Sequence, residues 1–231
     1  MSVFLKTKPK LVMFDLDGTL IDSAQDILGS ANAMLQGLGR EAVTDEQVRG
    51  WVGNGASVLV QRALAGCFEG PEYEAVPDAL CRDGLAFFRE DYRKRCTRAT
   101  GLYPGVETGL AMLHKAGLTL AIITNKPYEF TVPILESSGI APLFSQVLGG
   151  DSLARKKPAP DQLLHCLEQA NIDATEALMV GDSTNDIQAA KAANVPVAAV
   201  TYGYHHGLDM YSTGSDWVGD SIEDLARDIL K

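Results

Sequence analysis

Four short apolar runs, Leu11–Phe14, 118–123, 177–180 and 196–200, each break off at polar or small residues and each precede a stretch with helical spacing. Runs of this length bounded in this way read as strands buried on both faces, and their alternation with helices predicts parallel pairing through crossover helices. The expected fold class is therefore α/β, a doubly wound, Rossmann-like parallel sheet. Such sheets bind ligands outside the carboxyl ends of their strands. The residues that immediately follow each run become the first candidates for chemistry.

The segment between Phe14 and the second run is too long for an ordinary βα connection and contains no convincing strand. Over 24–38 the apolar residues Ile27, Leu28, Ala31, Met34, Leu35 and Leu38 recur at helical spacing, and 58–68 and 80–92 show the same pattern. An inserted all-helical domain over 22–100 is expected, with Gly101, Pro104 and Gly105 marking the return to a core made of 1–21 and 101–231.

The chain has 231 residues, 46% of them hydrophobic, enough to bury a sizeable core. Thirty acidic against twenty basic residues give a formal charge of -10. That balance argues against nucleic acid or an anionic membrane surface as a partner. An anionic substrate would have to be attracted locally, by a bound cation, a few lysines and exposed N–H groups. Cys67, Cys81, Cys96 and Cys166 form no Cys-x-x-Cys pair, so neither a zinc site nor a disulfide framework is indicated. Lys6, Lys8 and Lys10 precede an apolar stretch too short for a signal peptide, and no run approaches a membrane span. A cytoplasmic location is expected.

The first run leads directly into Asp15-Leu16-Asp17-Gly18-Thr19. Residues two apart in an extended segment point the same way, so Asp15 and Asp17 can address one site before Gly18 permits a sharp turn. One carboxylate can attack phosphorus, and the other can protonate the leaving oxygen and then activate water. An acidic turn with no further role fits the same residues. The second run ends at Thr124-Asn125-Lys126-Pro127, where a hydroxyl, an amide and helix-opening N–H groups can hold phosphate oxygens, although a plain helix cap also accounts for the segment. Lys157 precedes a proline that favours an extended backbone and helps aim its ammonium. The third run ends in Gly181-Asp182-Ser183-Thr184-Asn185-Asp186, with two carboxylates on one face if a helix begins near Ser183. Carboxylates there also favour a helix N-terminus. Two of them about 4 Å apart repel by roughly 4 kcal/mol at an effective dielectric of 20, so a convergent cluster calls for a cation. All-oxygen ligation with room for substrate favours Mg²⁺ over zinc. His205-His206, Trp51 and Tyr202 read as surface or packing residues.

Together, Asp15-x-Asp17, Thr124-Asn125, Lys157 and Gly181-Asp182-x-x-x-Asp186 resemble, in order and spacing, the motifs of the haloacid dehalogenase superfamily of phosphohydrolases. The resemblance implies Asp15 as nucleophile, Asp17 as general acid and base, Thr124 as phosphate-binding hydroxyl, and Lys157 as the cation facing nucleophile and phosphate. It also implies Mg²⁺ held by the Asp15 carboxylate, the Asp17 backbone carbonyl and Asp182, with Asp186 as ligand or outer partner. The insertion resembles the helical C1 cap, which in that superfamily closes over the site and sets specificity. Trp51-Val52-Gly53-Asn54-Gly55-Ala56, Thr124-Asn125-Lys126-Pro127, Lys156-Lys157-Pro158-x-Pro160 and Thr201-Tyr202-Gly203-Tyr204 are similar to the phosphoglycolate-hydrolysing branch. A small phosphorylated metabolite is the implied partner.

Rival expectations are a related small-molecule phosphatase, a sugar phosphomutase on the same core, or a non-catalytic phosphoaspartate receiver module. The last is normally about half this length and lacks an acid two residues beyond the nucleophile. Asn194 stands where the family commonly has glycine, and asparagine tolerates the same left-handed backbone.

Overall fold

The computed structural model describes residues 7–231, so Lys6 lies outside the described residues. In chain order the strands are β1 (Leu11–Phe14), β2 (Ile21–Asp22), β3 (Gly101–Leu102), β4 (Thr119–Ile123), β5 (Gln146–Leu148), β6 (Ala177–Gly181), β7 (Val197–Val200) and β8 (Trp217–Gly219). The α-helices are α1 (Ala24–Gly37), α2 (Asp45–Trp51), α3 (Ala56–Ala65), α4 (Pro71–Glu74) and α5 (Asp78–Arg95), then α6 (Val106–Lys115), α7 (Tyr128–Ser137), α8 (Asp161–Ala170), α9 (Thr184–Ala192) and α10 (Ile222–Leu230).

Two compact units result, one of residues 7–22 and 102–231, the other of residues 23–101. The first holds a six-stranded, all-parallel sheet in the order β5-β4-β1-β6-β7-β8, the doubly wound α/β core expected from the apolar runs. β1 lies in the middle because Leu11, Val12, Met13 and Phe14 are fully buried and cover both faces with apolar surface. Helices pack by the same logic: α10 turns Ile222, Leu225, Ala226 and Ile229 inward, and the Ser221 hydroxyl caps it by accepting from the N–H groups of Glu223 and Asp224. Asn194 follows α9 at φ 55, the left-handed conformation expected there.

Register fixes where the strand ends meet. Phe14 is level with Ile122 of β4 and Val180 of β6. Asp15, Thr124 and Asp182 thus follow within two residues of level positions on three adjacent strands.

The second unit is built from α1 to α5. α1 buries Ile27, Ala31, Met34 and Leu35, and also Asp26, whose carboxylate accepts from Ala99 N–H at 2.9 Å, Thr100 N–H at 2.9 Å and Thr100 Oγ1 at 2.8 Å. The buried Arg62 guanidinium ties the Trp51–Asn54 turn together, donating to the Trp51 carbonyl at 2.9 Å and to Asn54 Oδ1 at 3.0 Å. α2 and α4 were not read from sequence, and β2 and β3 modify the strand-free reading of this region. Each is a short element of two to seven residues, too brief to display a period. Among the described residues no helix is long and apolar enough to cross a membrane, and no disulfide joins the cysteines.

Candidate active site

At the end of β1 the Asp15 N–H donates to the Val180 carbonyl at 2.9 Å, continuing the ladder one residue past the strand and fixing the direction of its side chain. The chain then turns. Gly18 has φ +89, and a Cβ at that position would collide with Asp182 Oδ2. Glycine is required there for conformation and for room.

Lys157 is the hub of the cluster. Its ammonium, with side-chain exposure of 1%, lies 2.9 Å from Asp15 Oδ1, 2.6 Å from Asp186 Oδ1 and 2.6 Å from the carbonyl of Ile123. Three donors meet three acceptors, which satisfies a buried lysine. Its own carbonyl accepts from Asn125 Nδ2 at 2.9 Å, so two sequence-distant candidates hold each other. The peptide bond joining Lys157 to Pro158 is cis.

Asp182 is fixed through both oxygens: Thr19 Oγ1 donates to Oδ1 at 2.7 Å and the Tyr204 N–H donates to Oδ2 at 2.6 Å. Asp186 takes up the helix-terminus function read from sequence and adds a pairing with Lys157. Its Oδ2 accepts from Ser183 N–H at 3.0 Å and Ser183 Oγ at 2.6 Å, capping α9, while Oδ1 faces Lys157. Oxygens of Asp15, Asp182 and Asp186 all lie within 4.8 Å of one another.

Burial pushes the Asp15 carboxyl up to about 6; Lys157 pulls it down and the Asp186 charge pushes it up again. Burial, followed by the charges of Asp15 and Asp186, raises Asp182 well above the ordinary carboxylate range, against hydrogen bonds from Thr19 and Tyr204. For Lys157 burial favours loss of the proton, and the two neighbouring carboxylates outweigh it, so its ammonium form is strengthened. Three carboxylates against this one ammonium leave two negative charges in a buried space. A divalent, oxygen-preferring cation fits that donor set and charge.

Thr124 is buried at the end of β4, where its Oγ1 accepts from the Lys126 N–H at 3.2 Å. The plain-cap alternative does not describe this residue, since the residue preceding α7 is Pro127, and the Tyr128 N–H is taken up by Asp151 Oδ1 at 2.8 Å. Gln162 braces the turn from α8, donating to the Gly149 carbonyl at 2.8 Å and the Thr124 carbonyl at 3.3 Å.

Asp17 has a partner that sequence reasoning missed. Lys126 Nζ lies 2.8 Å from its Oδ1 and 2.9 Å from its Oδ2, with side-chain exposures of 4% and 11% for the lysine and the aspartate. Thr19, Tyr202 and Tyr204 were likewise not read as site residues. Tyr202 OH donates to the Thr19 carbonyl at 2.7 Å, and Tyr204 OH donates to Asp22 Oδ1 at 2.7 Å. The Thr-Asn-Lys and Tyr-Gly-Tyr strings were visible, but only the folded sheet shows which of their groups turn toward Asp17 and Asp182.

Comparison with known proteins gives a consistent result. The family profile described as haloacid dehalogenase-like hydrolase matches residues 12–200. A Pseudomonas putida protein named phosphoglycolate phosphatase is 45% identical over 223 residues, covering 96% of this chain and 80% of its own length. One of the same name from Vibrio parahaemolyticus is 44% identical over 220 residues, 94% of each chain. A crystal structure described as a predicted phosphoglycolate phosphatase from Haemophilus somnus superimposes with a TM-score of 0.89 at 35% identity, covering 96% of this chain and 98% of that one.

Proposed function

Because this chain belongs to the haloacid dehalogenase-like hydrolase family, we propose that it is a Mg²⁺-dependent phosphatase that hydrolyses 2-phosphoglycolate to glycolate and phosphate through an aspartyl-phosphate on Asp15. The observation that carries the reading is the convergence of Asp15, Asp182 and Asp186 within 4.8 Å of one another, with the Lys157 ammonium paired to Asp15 and Asp186. The substrate follows the names of the relatives. The absence of disulfides agrees with a reducing compartment, and the cytoplasm is the proposed location.

In this reading an Asp15 oxygen attacks phosphorus in line, the Asp15 oxygen–phosphorus bond forms, and the bond to the ester oxygen breaks. Asp17 delivers its proton to that departing oxygen. It then takes a proton from water, which attacks the acyl phosphate and releases phosphate and free Asp15. The Thr124 hydroxyl holds a non-bridging oxygen, and the Lys157 ammonium, beside Asp15, offsets the charge of nucleophile and phosphate. Asp15, Asp182 and the Asp17 carbonyl are the groups that would hold Mg²⁺, with Asp186 as their outer partner. When bound, it supplies charge neutralisation for phosphate approaching an acidic cluster.

A screen of phosphate release from small phosphomonoesters, run in Mg²⁺ and in EDTA, tests this. Metal-dependent multiple turnover with 2-phosphoglycolate among the best substrates is expected. Equal release in EDTA, or none from any ester, contradicts it.

A further inference from the structure

We propose that Lys126 is a specificity-determining residue that reads a carboxylate on the carbon bearing the phosphoester oxygen; this rests on the phosphatase reading above. Its ammonium is almost fully buried and grips both oxygens of Asp17, at 2.8 and 2.9 Å. The residue assigned to protonate the ester oxygen therefore carries a fixed cation on its own carboxyl group. An ester oxygen docked on Asp17 comes to lie next to that cation. In an α-carboxylated ester the carboxylate is attached to the very carbon that carries this oxygen, which puts its negative charge within reach of the same head group. A neutral alkyl ester offers the buried ammonium nothing in return.

The turn after β4 sets the span. Thr124 and Lys126 are two residues apart and tied by the Lys126 N–H to Thr124 Oγ1 hydrogen bond of 3.2 Å. The hydroxyl assigned to phosphate and the ammonium assigned to carboxylate thus belong to one braced turn, further held by Gln162 on the Thr124 carbonyl. Two anion-binding groups carried on one turn favour a short substrate whose phosphate and carboxylate lie close together. Size exclusion is not required.

The test compares kcat/KM for 2-phosphoglycolate and for ethyl phosphate, which shares the ester but lacks the carboxylate, in the full-length wild type, Lys126→Gln and Lys126→Arg. The expected result is that the ratio of the two falls by about tenfold or more in Lys126→Gln, with much of the loss in KM for the carboxylated ester. Lys126→Arg, which keeps the charge, retains more of the ratio and guards against a glutamine variant that fails to fold. Inhibition by free glycolate should be weaker in Lys126→Gln than in the wild type. Equal losses on both esters would overturn the proposal and leave Lys126 as a support for Asp17 alone. A wild type that hydrolyses ethyl phosphate and ignores 2-phosphoglycolate would overturn the substrate reading and this inference together, whereas an unchanged ratio in an enzyme active on both sinks the inference alone.

Discussion

Thr19 Oγ1 donates a 2.7 Å hydrogen bond to Asp182 Oδ1, joining the turn after β1 to the end of β6. With the Tyr204 N–H on the other oxygen, it orients a carboxylate that burial and neighbouring charge press toward protonation. Outer partners of this kind usually govern affinity for a bound cation. Thr19→Val is expected to raise the Mg²⁺ concentration for half-maximal activity by about tenfold. A metal titration of phosphate release checks this, and an unchanged midpoint would remove Thr19 from the account.

The acidic cluster predicts a definite coupling of pH to stability. Asp15 is raised from 3.8 to about 6 and Asp182 is raised further in the same direction, so both carboxyls hold protons more tightly folded than unfolded. Their contribution to stability is fully present below about pH 4 and is lost as pH rises through about 6 and above. A cation that needs them ionised restores what is lost. Thermal melts should show a gap between Mg²⁺ and EDTA samples that is wider at pH 7.5 than at pH 5. A gap of equal size, or one wider at pH 5, is the contrary result.

Asp26 makes a separate prediction about the helical unit. Its carboxylate takes up two backbone N–H groups and the Thr100 hydroxyl. Asp26→Ala leaves these donors with no carboxylate to accept from them and is expected to cost about 3 kcal/mol. Urea denaturation should register the loss as a lower midpoint at unchanged slope. A midpoint matching the wild type would mean that water or a shifted backbone replaces the carboxylate.

The central strands were legible because burial on both faces writes a continuous apolar run, as in β1, β6 and β7, where every residue is buried. β5 and β8 were not, since they are three-residue edge strands, half-buried, and reading Gln146–Leu148 or Trp217–Gly219 gives neither a run nor an alternation. The site divided similarly. Asp15, Lys157, Asp182 and Asp186 carry chemistry that their residue types announce, and the sheet brings them together. Lys126 and Thr19 gain their meaning from partners 109 and 163 positions away, which no local pattern encodes. Asp186 was ambiguous in sequence because a helix N-terminus and a cation-binding cluster ask for the same residue; in the structure it caps α9, and its pairing with Lys157 was not read.

The most direct test of the central claim is an acid quench of the enzyme during turnover of 2-phosphoglycolate, followed by mass spectrometry of its peptides. The account predicts a phosphoryl adduct on Asp15 that forms within the time of one turnover and disappears when substrate is exhausted. Full turnover with no adduct at Asp15, accompanied by undiminished activity in pure Asp15→Asn protein, would contradict it.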